Sequence, residues 1–567
     1  MKLTPIFFAM LPALAVFASQ AEVYQVAELG LVEGYKSSFS AGINNSNQTV
    51  GTVSGQFNYP VDLAAVNYAH ASITGSLSAA EIEEVKKGNV NAKALVALLL
   101  YLNSNISDYS VQRFAGTFPI RYDIRQQIKL RETKTPQTNY EYLLDITDNG
   151  TMLGYGSAPF VKQAFTPAAT EAIPNPVTKQ LWVPESGSVL GMVLNNGSRY
   201  PLLPIYTQYG GGISVPKAIS NSGIVVGTGS VSLAEATATS INTACNGATE
   251  PKAICYYQFI SNVNSAPYDM AGLVWTLDAN GKPGPATKYG YLGDKKTGLP
   301  HTRTDYAPVL YTSVPNDVND AGVVVGMSVY TDSTDIRYNP RTFRDEVFTA
   351  YQATIFQGTE LTTFFDVKEW EGSRATSINN KNIIVGSAVK RVNYDQERFF
   401  VYDMNTQKIT FPKDLFASAS VVPAAINNNN QVVGISSSYT DGSSTIRQVG
   451  FWYDLTTDSF HDLNKLLPCN SGYTVIAAQD INDKNVIVAT ATKKTEARDV
   501  KGDIIKDAAG NAIMEEVAVA VQLTPVANGT PDNCSSVVEE GYERQGGSLG
   551  FGWLLLTMLP LLRRRSR

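Results

Sequence analysis

Ile43-Asn44-Asn45-Ser46-Asn47-Gln48-Thr49-Val50-Gly51 is one copy of a nine-residue phrase that recurs along nearly the whole chain. It returns at Ile146 to Gly154, Ile219 to Gly227, Val318 to Gly326, Ile378 to Gly386, Ile426 to Gly434 and Ile481 to Ala489. Its fifth position holds only Asn47, Gly150, Gly223, Gly322, Asn382, Asn430 and Asn485. Asn and Gly are the residues that best tolerate positive φ, so this position is expected to be left-handed. Before it stand Asn, Asp, Ser or Thr, whose side chains bond the local backbone in turns. After it come apolar, mostly β-branched runs such as Val225-Val226, Ile383-Ile384-Val385 and Val432-Val433. A short strand, a turn closed by a left-handed residue and a buried strand make a hairpin. The closing Gly, replaced by Ala489 in the last copy, suits a close approach of another backbone.

A second hairpin follows several copies. Arg398 to Tyr402 leads through Asp403 to Thr406 into Lys408 to Phe411; Gly450 to Tyr453 leads through Asp454 to Thr457 into Phe460 to Leu463; Leu273 to Leu277 turns at Asp278 to Gly281. Two hairpins per unit give four antiparallel strands, the content of one propeller blade. Copies starting at 318, 378, 426 and 481 are spaced close to the about 40–50 residues of a blade. The intervals from 43 to 146 and from 219 to 318 are about twice as long, room for a degenerate copy or an insertion. Val183 to Gly191 is a faint further match that lacks the Asn. The expected fold is all-β: a β-propeller of about six to eight four-stranded blades, with a small helical insertion and a C-terminal apolar tail helix. A β-solenoid or tandem sandwiches are the competing architectures.

The helical stretch lies early. Ser78 to Lys87 and Asn91 to Leu102 read as helices, the first opened by the capping box Ser78-x-x-Glu81. The chain therefore divides into a leader (1–21), a first repeat unit (22–54), a partly helical insertion (55–140), the repeat body (141–525), a linker (526–545) and a tail (546–567).

Both ends carry address signals. Lys2, an apolar run from Ile6 to Phe17 and Ser19-Gln20-Ala21 form a signal peptide cut between Ala21 and Glu22. At the other end, Gly546-Gly547-Ser548 precedes an apolar run from Leu549 to Leu562 and the basic cluster Arg563, Arg564, Arg565 and Arg567. That run falls short of the about 20 residues that span a bilayer comfortably. Its terminal arginines would stay on the cytoplasmic side. Four cysteines fit an exported chain, with Cys245–Cys255 and Cys469–Cys534 as the natural first pairing of three possible ones. The formal charge is −6, and removing Lys2 with the leader and four arginines with the tail leaves −11. So acidic a body argues against nucleic acid as a partner.

The sequence names no reaction. His70, His301 and His461 are the only histidines, and none stands near a second one. The one Gly-x-Ser-x-Gly match, Gly546 to Gly550, lies in the tail, where no nucleophile elbow can form. No catalytic residue, zinc site or phosphate loop is assigned. Calcium is a candidate ligand of the turn residues Asp148, Asn319, Asp320, Asn379, Asn380, Asn427, Asn428, Asn482 and Asp483, as of the acidic loop Asp317, Asp332 and Asp335. Turn chemistry alone also explains the Asn and Asp. No cofactor is expected.

The phrase Ala/Ser-Ile-Asn-Asn-x-Gly-x-Val-Val-Gly, followed by an aromatic strand and Asp-Leu, resembles the HAF-type extracellular repeat proteins, as does the opening Tyr24 to Gly30. No His-Ala-Phe triplet precedes the aromatic strands: Glu397-Arg398-Phe399 and Val449-Gly450-Phe451 stand there instead. The tripartite tail resembles the GlyGly-CTERM sorting signal of Gram-negative bacteria. That likeness implies recognition in the inner membrane, cleavage near the Gly pair by a rhomboid-type protease and passage to the cell surface. The combination is similar to uncharacterised marine gammaproteobacterial proteins, which bring no activity with them. The expectation is an exported, surface-attached or secreted propeller that binds a glycan, matrix polymer or protein. Its other expected partners are the export machinery, the sorting protease and, transiently through the tail, the membrane. The alternatives are an extracellular polysaccharide hydrolase or lyase, and a membrane-tethered structural envelope protein.

Overall fold

The computed structural model describes residues 23–531 except 31–32, 132–136, 170–173, 247–248, 262–266, 293–311, 340–343, 359, 368, 391–396, 414–419 and 440–445. The side chains of 332–348 and 438–447 are likewise outside the description. Signal cleavage at Ala21 and Glu22, the tail motif and its arginines, Cys534, His301, Asp332 and Asp335 all lie there.

Seven four-stranded antiparallel sheets form the blades of a propeller. The innermost strands are, in order, Tyr35–Ile43, Glu141–Ile146, Ser214–Ile219, Ser313–Val318, Trp370–Ile378, Ser420–Ile426 and Thr474–Ile481, which number blades 1 to 7. Each runs into one copy of the phrase, whose turn leads to the second strand. The fifth residue of every copy has positive φ, from 59° at Asn47 to 84° at Gly150. The ninth residue is Gly in six copies because the partner strand's carbonyl is in the way. A Cβ on Gly51, Gly326 or Gly386 would sit 2.1 Å from the oxygen of Phe39, Val314 or Arg374. In blade 7 the ninth residue, Ala489, pairs with Ala478, between two register shifts of the inner strand at Val475/Ala477 and Ala478/Asp480.

Second strands are buried on both faces, which is why they read as continuous apolar runs. Val225-Val226, Ile384-Val385, Val432-Val433 and Ile487-Val488 are all fully buried. The core lies between blades: Val325 and Ile355 of blade 4 meet Ile384 and Phe400 of blade 5, and Val385 and Phe399 meet Val432 and Phe451 of blade 6. The ring closes at the chain's start. Tyr24–Glu28 is the outermost strand of blade 7, paired antiparallel with Met514–Pro525 from Tyr24↔Pro525 onward, so it completes the last blade.

Both long intervals hold insertions, and among the described residues no hidden copy lies in either. In blade 1, residues 57–116 separate the second and third strands and hold the helices Ala79–Lys86 and Ala92–Ser104, with the Ser78–Glu81 capping box formed. The outer strands of that blade, Thr117–Arg121 and Gln126–Gln127, follow them. In blade 3, residues 234–267 hold the helices Glu235–Asn246 and Lys252–Ile260, which the Cys245–Cys255 disulfide joins. Cys469 is disulfide-bonded as well. Val183 to Gly191 is not a copy: it joins the end of an inserted hairpin, Phe160–Phe165 with Lys179–Pro184, to the third strand of blade 2, Val189–Asn195. Among the described residues no helix is long and apolar enough to cross a membrane.

Candidate functional site

The repeat turns meet at the propeller axis, around a channel mouth of about 190 Å³. The third residue of each copy uses its Oδ1 to accept the backbone N–H of its counterpart in the preceding blade. Asn45 donates to Asp148, Asp148 to Asn221, Asn221 to Asp320, Asp320 to Asn380, Asn380 to Asn428, Asn428 to Asp483, and Asp483 back to Asn45, all at 2.8–2.9 Å. Seven bonds thus close a circle. No two of its carboxylates are neighbours. Asn45, Asn380 and Asn428 add Nδ2 bonds to the second oxygens of Asp148, Asp320 and Asp483. A buried layer of second residues reinforces the circle: Asn319, Asn379, Asn427 and Asn482 each donate Nδ2 to the backbone oxygen of their counterpart in the next blade, at 2.9–3.2 Å. Turn capping and blade stitching therefore account for every Asn and Asp that the sequence offers as a calcium ligand in these turns. Among the described residues no three His, Cys, Asp or Glu are spaced to hold a metal ion.

One layer deeper stand Asp145, Asp317 and Asp480, of which only Asp317 is singled out by sequence. Each precedes the Ile or Val that opens a copy, at a β-bulge in the inner strand. The bulge leaves that Ile or Val N–H in need of an acceptor. Asp145 serves Ile146 and, in the next blade, Ile219; Asp317 serves Val318 and Ile378; Asp480 serves Ile481 and Ile43. Ser377 Oγ serves Ile426. Gly42, Ala218 and Ala425 occupy the same position in blades 1, 3 and 6 and can accept nothing. The blades that follow those three are the ones that carry their own Asp. Seven N–H groups are thereby satisfied by four side chains. The signal was present in sequence as Asp-Ile/Val-x-Asp at 145–148, 317–320 and 480–483. The carboxylates touch channel solvent yet have protein on all sides. Burial, then the charge of Asp145, pushes Asp480 up to about 7. Burial, with Asp145 adding to it, pushes Asp317 up to about 6; burial also raises Asp145.

The opposite face is built differently. Because the strands alternate, every connection from second to third strand emerges there. Insertions occupy it in blades 1, 2, 3 and 7, and blade 4 extends its hairpin Val324–Asn339/Arg344–Gln357. Between the helical insertion of blade 1 and the hairpin of blade 2 lies a cleft of about 250 Å³. His70 is on its wall and caps a short helix: Nδ1 accepts the Ser72 N–H at 3.2 Å, so the ring hydrogen is on Nε2. Its ring meets the edge of Tyr101, whose hydroxyl accepts the Asn67 N–H at 3.2 Å. Across the cleft, Lys162 is paired with Asp62 at 2.6 Å. Nearby, Arg113 is 8% exposed, and its guanidinium lies over the rings of Tyr109 and Phe160, at 4.4 and 4.8 Å. Burial lowers the Arg113 pKa. Sequence placed nothing at this cleft, since its walls come from two blades. His461, by contrast, is stacked on Trp452 at 5.3 Å as a packed side chain.

Solved structures similar to this chain include a puromycin-hydrolysing peptidase of Mycobacterium tuberculosis (TM-score 0.31, 9% identity, covering 66% of this chain and 46% of that one). A dipeptidyl peptidase 4 of Porphyromonas gingivalis (0.30, 8%, 66% and 47%) and a Dyadobacter fermentans protein of unknown function (0.30, 12%, 67% and 92%) are similar at the same level. The chain spans less than half the length of the two peptidases, and likenesses this distant carry nothing about activity. No curated protein matches. Residues 3–567 match the family described as protein of unknown function (DUF3466), and the chain belongs to that family.

Proposed function

We propose that this protein is an exported binding module of a Gram-negative envelope, holding a glycan, matrix polymer or protein on the face that carries its insertions. The sidedness of the disc supports this. At the centre of one face seven turns of fixed length are stitched into a circle, whereas the other face displays helices and hairpins that differ from blade to blade. Variable elements on a rigid scaffold are where binding groups concentrate. The address belongs to the same proposal: a leader cut between Ala21 and Glu22, and a tail cut near Gly546-Gly547-Ser548 by a rhomboid-type protease. The Cys245–Cys255 disulfide fits an oxidising compartment.

The purified chain from Glu22 to Gln545 is tested on immobilised polysaccharides and on defined envelope proteins. Retention on one of them without release of reducing ends supports a binding module. New reducing ends would make it a hydrolase or lyase, and failure to bind any of them would remove the proposal. Intact mass of the native protein tests the address, and a mature chain that still ends at Arg567 would overturn the sorting step.

A further inference from the structure

We infer that the cleft between the blade 1 insertion and the blade 2 hairpin is the recognition site for a single neutral sugar ring. This rests on the glycan-binding form of the function proposed above. At about 250 Å³ the cleft lies below the roughly 300–1,000 Å³ of pockets for drug-sized ligands, so one ring fills it.

The charged groups around it already have partners for part of their bonding capacity. Lys162 is held by Asp62, and Oδ1 of Asp108 accepts the N–H and Oγ–H of Ser110 at 2.8 and 2.7 Å. With its one lysine engaged, the cleft offers an anionic ligand no free lysine or arginine among the described residues. What remains is a mixture of single donors and acceptors. His70 presents Nε2–H. Asn67 has its Oδ1 taken by the Ala69 N–H at 3.1 Å and presents Nδ2. Asn105 has its Nδ2 taken by the Tyr101 oxygen at 2.8 Å and presents Oδ1. Gln180 presents both halves of its amide, and Asp108 its second oxygen. A hydroxyl both donates and accepts, so a ring of adjacent hydroxyls can answer such a mixture at every position. The methyl groups of Ala64 and Ala65 supply an apolar patch for the C–H face of the ring.

The test is saturation-transfer NMR and calorimetry on the disulfide-intact chain, using D-glucose, D-galactose, D-mannose, N-acetylglucosamine and the peptide Gly-Gly-Gly as probes. Binding of at least one sugar in the millimolar range is expected, weakened at least tenfold by Gln180→Leu. That residue is exposed on its strand, so the variant folds; an unchanged melting temperature verifies this. Asn67→Leu serves as the second variant. Sugar binding untouched by both substitutions would overturn the cleft as the site while leaving the binding module standing. Saturation of Gly-Gly-Gly in place of the sugars would assign the cleft to peptide amides and overturn the sugar. Binding of a long polysaccharide that no monosaccharide can inhibit would likewise overturn the single-ring site but not the glycan module.

Discussion

Asn427 shows what one side chain does in this ring. It is 4% exposed and all its bonding capacity is used. Oδ1 accepts the N–H groups of Asn429 and Gln431 at 3.0 and 2.9 Å inside its own turn, and Nδ2 donates to Asn482 O and Asn485 Oδ1 in the next blade, at 2.9 and 3.0 Å. Removing it leaves buried donors and acceptors unpaired on both sides of a blade interface. Each such group costs about 1–3 kcal/mol, so Asn427→Ala is expected to cost about 2–4 kcal/mol in urea unfolding. Asn430, three residues on, is there mainly for its φ of 62°. Asn430→Gly loses only the bond from Asn379 and should cost under about 1.5 kcal/mol, while Asn430→Ala adds the left-handed penalty of roughly 1–2 kcal/mol. Equal losses for Asn427→Ala and Asn430→Gly would mean that the inter-blade bonds contribute little.

At the scale of elements, hairpins were legible because their causes are local. The copies could be compared within one chain, and restriction to Gly or Asn at the fifth position announced a backbone angle directly. The capping box at Ser78 and Glu81 was legible for the same reason. The boundary of the first insertion was not, because Thr117–Arg121 and Gln126–Gln127 are short outer strands that carry no phrase of their own. The cleft was invisible, since Asn67 and Gln180 are brought together only by the packing of two insertions. Cys245 and Cys255, separated by 10 residues, act at this same scale. Closing so short a loop stabilises by about 2–3 kcal/mol in the chain-entropy picture, and both cysteines sit in the two inserted helices, packed with Ile241 outside the inter-blade cores. Replacing both with Ser should therefore speed amide exchange and proteolysis across residues 234–267 while the cooperative melting of the blades changes little. A fall in the global melting temperature as large as that of Asn427→Ala would show that the helices are part of the propeller's own core.

The whole molecule depends on ring closure, and two features determine it. The first is the strand Tyr24–Glu28, which gives the last blade its fourth strand and sets Glu28 against Lys493 and the Tyr473 hydroxyl. Deleting residues 23–30 leaves Met514–Pro525 as an open edge, and open edges invite pairing with other chains. The expected result is a melting temperature lower by at least about 10 °C and aggregation on heating; unchanged melting would mean the ring holds without its clasp. The second is the set of channel carboxylates, whose bridging pattern no single copy could reveal, because each Asp answers a Gly or Ala in the blade before it. Asp317 and Asp480 have folded-state pKa values raised from 3.8 to about 6 and about 7, by burial first and by the charge of Asp145 in addition. A raised pKa means that the folded protein binds protons more tightly than the unfolded chain. The stabilisation is therefore fully present below about pH 4 and is lost as pH rises through 6 and 7. Other carboxylates with lowered values, such as Asp403, act in the opposite sense and only at lower pH, whereas His461, whose pKa burial lowers, opposes the channel within the window from pH 5 to 7.5. Stability should fall by roughly 2–4 kcal/mol across that window, read as urea midpoints at constant ionic strength. Asp480→Asn removes the titration while keeping one acceptor for Ile43 or Ile481, so it should flatten the slope while lowering stability at pH 5, where the native carboxyl is protonated and unstrained. A slope unchanged in Asp480→Asn would place the pH dependence outside Asp480 and leave that residue as an acceptor alone.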